Sequence, residues 1–200
     1  MAPRIAYRQF HDQTNTAVAT AVLLAEFGLA DFDISRPQQE LTLHGLIQRG
    51  LYEEGRGMLL RNALRHLSVA GLKWTLIHDA ARTAAIQSRV RTVLPDFEFR
   101  FVNDLKSPAE SGLHLESALE GDGRLLLVEA RHSLHGVPVH VLLVRREGDV
   151  CYVMNSHTGQ DHAYTLGHLA AHLAAPVKMG TVSFAGLQYL YTGVAVRLWR

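Results

Sequence analysis

The sequence predicts one α+β domain spanning residues 1–200, with an antiparallel sheet. Its 200 residues are enough for one continuous core. Hydrophobic residues make up 48% and charged residues 20%, which is typical of a globular chain and excludes disordered, collagen-like and coiled-coil classes. Helical patterns fill the first half and strand patterns the second, with no internal repeat or linker. Helices followed by strands favour an α+β arrangement.

The helices of the first half are predicted from apolar spacing and end residues. Asn15 to Gly28 predicts the first helix, because Thr14 or Asn15 suits an N-cap and Gly28 a C′ position. Leucine spacing predicts a second helix over Arg36 to Gly50. Arg56 to Ala70 predicts a third, ended by Gly71. The buried stripe of this third helix comprises Met58, Leu59, Ala63, Leu67 and Ala70.

The remaining elements are mostly strands. Lys73 to His78 predicts a short strand, Ala80 to Leu94 is mixed, and Phe97 to Val102 alternates. Leu113–Leu119 and Leu166–Leu173 predict helices. The other predicted strands are Arg124–Ala130, Val137–Arg145, Val150–Asn155 and Gly193–Trp199. The turn Glu147–Asp149 predicts a hairpin between the second and third of these strands.

Charge and cysteine content exclude several function classes. The 20 Lys and Arg against 19 Asp and Glu give a formal charge of +1, without the basic excess of nucleic-acid-binding proteins. The single cysteine, Cys151, excludes an internal disulfide and a four-cysteine zinc site, and fits a reducing compartment. No segment resembles a secretory signal or approaches the ~20 apolar residues that cross a bilayer. We therefore expect a soluble, cytoplasmic protein with no membrane insertion.

The first candidate site is at the start of the first helix. Asn15 stands where backbone N–H groups and the positive end of the helix dipole suit a developing anion, and Gln9 precedes it. The simpler interpretation makes Asn15 an N-cap and Gln9 a surface amide.

The second candidate site pairs two strands. His140 lies in one strand and Asn155 ends the next, and neighbouring strands are about 4.8 Å apart, so the two side chains can hydrogen-bond in a suitable register. A carboxamide that holds an imidazole in one tautomer is a recurring catalytic device. The simpler interpretation is a partly buried strand histidine.

Twelve histidines raise the question of a metal site. His168 and His172 are four apart on a predicted helix, so both rings could face one ion. Because no HExxH motif or recognised carboxylate spacing accompanies them, a solvated face is favoured and no metal or cofactor is expected. A metal-dependent enzyme remains a minor hypothesis. The glycines Gly50, Gly55 and Gly57 form no phosphate loop, so a nucleotide is not expected either.

Together the first two sites resemble the bacteriocin-processing cysteine peptidases, papain-like domains that occur free or at the N-termini of peptide-exporting transporters. That family opens with Gln, five residues, then Cys-Gly at the start of an apolar helix. Here Gln9 is followed by Asn15 and Thr16, then AVATAVLLAEFG. His140 in LHGVPVHVLLV and Asn155 in VMNSHTG match the family's later His and its Asp or Asn. GRGMLLRNALRHLSVAGL also resembles a family helix.

The resemblance implies a papain-like fold and roles for four residues. In the family the Cys attacks, the His takes its proton, the Asp or Asn orients the His, and the Gln helps form the oxyanion hole. Gln9, His140 and Asn155 match, but Asn15 occupies the position of the nucleophile. A carboxamide nitrogen is a very poor nucleophile, because its lone pair is delocalised. Cys151, in the strand that ends at Asn155, is no obvious substitute.

Two function hypotheses follow. In the first, the protein has a peptidase fold without peptidase activity, and its former active-site cleft binds a peptide or acyl-amide group. Related transporter domains that lack the Cys serve as substrate-docking modules. This hypothesis also includes docking to a partner protein. In the second, it is a hydrolase or acyl/amide transferase with Thr14 or Thr16 as nucleophile. Either Thr would point about 100° away from position 15 around the helix. Both hypotheses predict that Gln9, Asn15, His140 and Asn155 converge.

Overall fold

A six-stranded antiparallel sheet carries the fold. The structure is a computed structural model that describes residues 14–30, 44–53, 57–89, 113–130, 139–176 and 190–200. A small two-stranded sheet pairs β1 (Tyr52–Glu53) with β2 (Gly57–Met58). The large sheet has the order β3-β8-β4-β5-β6-β7. Its strands are β3 (Lys73–His78), β4 (Arg124–Ala130), β5 (Val139–Glu147), β6 (Val150–Asn155), β7 (Gln160–Thr165) and β8 (Leu190–Trp199).

Helices cover both faces of this sheet. They are α1 (Asn15–Glu26), α2 (Leu60–Val69), α3 (Ala80–Arg89), α4 (Leu115–Ala118) and α5 (Leu166–Ala174), and residues 44–48 are also helical. The predicted mixed α+β class with an antiparallel sheet is confirmed. None of the helices within the described ranges is long and apolar enough to span a bilayer.

The core lies on both faces of the sheet. Along β5, Val141 and Leu143 join the cluster that contains α1 and α2, whereas Leu142 and Val144 join the cluster that contains α4 and α5. Successive side chains of a strand point to opposite faces, so both faces of the central strands are buried. This explains why the central strands read as continuous apolar runs rather than as alternating ones.

The C-terminal ends of α1 and α2 follow the prediction, whereas α2 begins at Leu60 rather than Arg56, because Gly57 and Met58 form β2. Gly28 and Gly71 have φ of +66° and +95°, and each directly follows the C-cap of its helix. After α1, the N–H groups of Gly28 and Leu29 donate to the carbonyls of Ala25 and Leu24 at 2.9 and 2.8 Å. This bonding pattern satisfies carbonyls that the helix leaves open, and the left-handed residue in it favours glycine.

Other elements differ from the prediction. β7 was not predicted, because its sequence QDHAYT is polar and the strand lies at the sheet edge. β8 begins at Leu190 rather than Gly193, and the described part of the mixed segment is the helix α3. Of the predicted second helix, residues 44–48 are helical and 36–43 lie outside the described residues. The predicted strand Phe97–Val102 and residues 137–138 also lie outside them.

Strand β8 and helix α3 meet at a glycine. The Asp79 N–H donates to the Gly193 carbonyl at 2.7 Å, and Asp79 Oδ1 accepts the Arg82 N–H at 2.9 Å in the first turn of α3. A Cβ at position 193 would lie 2.6 Å from the Asp79 oxygen, and φ there is +89°. Only glycine allows this approach, which places Arg82 beside β8.

Candidate functional site

The site forms where α1, β5 and β6 meet. Asn15 is the first residue of α1, His140 lies at the start of β5 and Asn155 ends β6. Because β5 and β6 are antiparallel neighbours, the start of one lies beside the end of the other. Three residues distant in sequence thus come together at one end of the sheet.

The contact between Asn15 and His140 defines the site. Asn15 Nδ2 lies 2.9 Å from His140 Nδ1, and the Thr16 hydroxyl donates to Asn15 Oδ1 at 2.9 Å. With the amide nitrogen as donor, His140 Nδ1 is an acceptor, and the neutral imidazole carries its proton on Nε2. Thr16 therefore orients the carboxamide that meets the imidazole.

Asn155 supports the same imidazole. Its side chain hydrogen-bonds to His140, and its Oδ1 accepts the N–H of His157 at 2.9 Å. The backbone turns directly after it, since the N–H of Gly159 donates to the Asn155 carbonyl at 2.9 Å. A fixed turn at the end of β6 thus holds the carboxamide against the ring.

Burial decides the charge of His140, whose side chain is only 1% exposed. Desolvation and, to a smaller extent, nearby His157, 5.6 Å away between ring centroids, lower the pKa of His140 to about 3. A hydrogen bond in which the imidazole N–H donates to the Asn155 side chain acts in the opposite direction and partly offsets this lowering. His140 is therefore neutral at neutral pH.

This arrangement has a definite chemistry. A neutral imidazole could take a proton at Nδ1, but Asn15 offers Nδ1 an amide N–H and no nucleophilic atom. The groups at positions 15, 140 and 155 therefore form a buried hydrogen-bonded set, and nucleophilic attack would need an atom from elsewhere.

The structure brings together three of the four predicted site residues. Asn15, His140 and Asn155 meet, and their part in function stays a prediction. Gln9 lies outside the described residues. Thr14 is the buried N-cap of α1, and its carbonyl accepts the Val18 N–H at 2.9 Å.

Cys151 lies away from this site. It is buried in β6 and pairs in register with Arg146, at the turn end of the β5–β6 hairpin, whereas His140 is at the other end. Burial raises the pKa of the Cys151 thiol, so it carries less thiolate than a free cysteine.

The predicted histidine pair does not converge on an ion. His172 is buried and donates Nε2–H to Glu129 Oε1 at 2.6 Å, whereas exposed His168 packs on Tyr164 with ring centroids 4.7 Å apart. The expectation of a solvated face is therefore wrong for His172. Across the described ranges, no group of three or more His, Cys, Asp or Glu side chains could hold a metal ion.

A buried ion-pair network fixes the other end of α1. Glu26, in the last turn of α1, bonds Arg145 of β5 and also Arg124 of β4 at 3.3 Å. Arg145 in turn bonds Asp161 of β7. Because α1 rises about 17 Å over its 12 residues, this anchor sets the axis along which Asn15 approaches His140.

Sequence reasoning missed two charged residues that matter here. Glu129 is fully buried and pairs in register with His140, and Glu26 is also buried. Both are lone acidic residues inside apolar runs, RLLLVEA and AVLLAE. Because unpaired charge is rarely buried, a lone charge in a core element is the sequence feature that could have identified them.

No protein-family model matches this chain, and no curated protein matches it.

Proposed function

We propose that this chain is a papain-like domain whose former active-site cleft binds a peptide or acyl-amide group without cutting it. The observation that supports this most is the 2.9 Å contact of Asn15 Nδ2 with His140 Nδ1, at the start of an apolar helix. Asn15 thus occupies, relative to the histidine, the position that a nucleophile would need.

The chemistry of the site favours binding over cleavage. Asn15 is a poor nucleophile, and His140 is neutral and buried, with Asn155 bonded to it. A peptide group needs one acceptor and one donor, and the Asn15 carboxamide, the most exposed group of the three, carries both kinds of atom. The N-terminus of α1 adds a positive dipole end that attracts a carbonyl oxygen.

The threonine-dependent hydrolase is the weaker hypothesis. The Thr16 hydroxyl donates to Asn15 Oδ1 and orients that side chain, a positioning role rather than an attacking one. The proposal includes a cytoplasmic location, with which the single buried thiol of Cys151 is compatible. It also allows the bound peptide to belong to a partner protein.

Binding of a blocked peptide, acetyl-Ala-Gly-Gly-Ala-amide, tests the proposal. We expect the imidazole ¹⁵N signals of His140 to shift on titration and Asn15→Ala to weaken binding about tenfold, through loss of a buried hydrogen bond. Asn62→Ala is the matched control, because Asn62 Nδ2 bonds the Leu51 carbonyl elsewhere. We expect mass spectrometry to find the peptide intact.

Two results would contradict the proposed peptide-binding function. Equal affinity of the wild-type protein and Asn15→Ala would remove the site from peptide binding. Cleavage of the peptide that disappears in Thr14→Ala or Thr16→Ala would establish the hydrolase instead.

A further inference from the structure

A row of polar residues continues from His140 across the sheet. Glu129 of β4 pairs in register with His140 of β5 on one side and with Tyr191 of β8 on the other. Directly paired residues share one face of a sheet, with Cβ atoms about 5 Å apart. Glu129, His140 and Tyr191 are 0%, 1% and 3% exposed, so the row is buried.

Two helices cover this row. From α5, His172 donates Nε2–H to Glu129 Oε1 at 2.6 Å. From α3, the Arg82 guanidinium lies 5.5 Å from the centroid of the Tyr191 ring, and its Nε donates to the Tyr191 carbonyl at 2.7 Å. Arg82 is partly exposed, so the row reaches the surface at α3.

Three polar atoms of this group have no hydrogen-bond partner within the described ranges. They are Glu129 Oε2, Tyr191 Oη and Arg82 Nη2. Buried polar atoms nearly always have a partner, since leaving one without costs free energy. Three such atoms on residues that neighbour one another indicate a place built to hold a further polar group.

The chemistry of the three atoms selects that group. Glu129 Oε2 accepts and Arg82 Nη2 donates; Tyr191 Oη also donates, because burial and nearby Asp79 and Glu129 raise the pKa of its phenol and keep it protonated. A negative and a positive residue side by side disfavour a net charge of either sign. A neutral group with adjacent donor and acceptor fits, and a carboxamide is that group.

We propose that Glu129, Tyr191 and Arg82 form a subsite next to His140 that takes a carboxamide of the bound ligand. The amide N–H donates to Glu129 Oε2, and the amide oxygen accepts from Arg82 Nη2 and Tyr191 Oη. The carboxamide comes from a Gln or Asn side chain, because a primary amide presents an N–H and its oxygen on the same side, whereas a trans peptide bond points them in opposite directions. The subsite rests on the proposed peptide-binding function and specifies which ligands it prefers.

Four blocked amino acids test this preference for a side-chain carboxamide: the acetyl methylamides of Gln, Glu, Lys and Gly. We expect the Gln probe to bind the wild-type protein about tenfold more tightly than the Glu and Lys probes. Tyr191→Phe and Glu129→Gln should remove this preference. Tyr164→Phe, which changes a tyrosine on β7, is the matched control. The Gly probe has the same backbone amides but no side-chain carboxamide, so it should bind no more tightly than the Glu and Lys probes, and a Gly probe that binds as tightly as the Gln probe would overturn the subsite.

Thermal unfolding of Tyr191→Phe tests the subsite independently of ligand binding, and so also serves if a variant folds poorly. Tyr191→Phe removes a hydroxyl that has no described partner, so its melting temperature should equal or exceed that of the wild-type protein. A clear drop would show that the hydroxyl makes a structural bond and would overturn the subsite. So would equal binding of the Gln, Glu and Lys probes in wild type and Tyr191→Phe.

The outcomes also distinguish this subsite from the function on which it rests. Asn15→Ala should weaken all four probes alike, whereas Tyr191→Phe should weaken only the Gln probe, which carries the side-chain carboxamide. Binding that depends on Asn15 but not on Tyr191 would refute the subsite and leave the proposed function standing. If neither the tetrapeptide nor any probe binds, both are refuted.

Discussion

Acidification from pH 7 to pH 5 should destabilise the native state through His140. Burial lowers the pKa of His140 to about 3 in the folded protein, against ~6.5 in the unfolded chain. Between these values the unfolded state binds a proton that the native state does not. The contribution of His140 to the free energy of unfolding is therefore full above pH ~6.5. It is lost as the pH falls towards 3, by up to ~1.4 kcal/mol per pH unit. Between pH 7 and pH 5 the loss is about 2 kcal/mol.

Urea unfolding of wild type and His140→Gln at pH 7, 6 and 5 measures this loss. The variant has no imidazole at position 140, so its free energy of unfolding should fall by about 2 kcal/mol less than that of the wild type. His66 and His78, whose pKa values burial also lowers, contribute equally to both proteins. His168→Gln changes an exposed histidine and should follow the wild-type curve.

Parallel pH dependence in wild type and His140→Gln would refute the argument. It would mean that His140 is protonated in the native state at pH 5, and hence that its ring is not the buried acceptor of the Asn15 amide.

Two further substitutions test the framework around the site. Glu26→Gln should lower the free energy of unfolding by about 3 kcal/mol, because it breaks a buried ion pair with Arg145. Arg146→Leu is the control: it removes an exposed ion pair with Asp149 at 4.0 Å and should change the free energy of unfolding by under ~1 kcal/mol. Equal losses for the two variants in urea denaturation would contradict the buried network. Gly193→Ala should lower the free energy of unfolding by about 3 kcal/mol, and Gly148→Ala, where φ is also positive but no atom lies within 4 Å of the added Cβ, by about 1 kcal/mol. Equal melting temperatures would contradict the close approach to Asp79.

The parts of the fold that depend on local chemistry could be predicted from the sequence. Gly28 and Gly71 end their helices because a left-handed residue is needed there, and the apolar runs of β4 to β6 reflect a sheet buried on both faces. β7 could not be predicted in this way, because an edge strand can be polar on both faces.

Only part of the candidate site could be predicted from the sequence. The hairpin brings His140 and Asn155 together through neighbouring strands, and Asn15 was identified through the order of residues in a resembling family. The pairing of Glu129 with Tyr191 depends on a register shift directly after Val128. Long-range packing sets such a shift, and no local pattern in RLLLVEA encodes it.

The most direct test of the central claim restores the thiol. Asn15→Cys places a sulfur at the positive end of α1 beside His140 Nδ1, which is an acceptor and can take the thiol proton. The thiolate then stabilises the imidazolium that forms next to it, and this ion pair together with the helix dipole should lower the thiol pKa well below the free value of ~8.5. Position 15 should then react rapidly with iodoacetamide at pH 6, and His140→Ala in the same protein should abolish the fast reaction. Cys151 is the internal control, since burial raises its pKa and it should react slowly. Equal labelling of positions 15 and 151, unchanged by His140→Ala, would contradict a silenced cysteine-peptidase site.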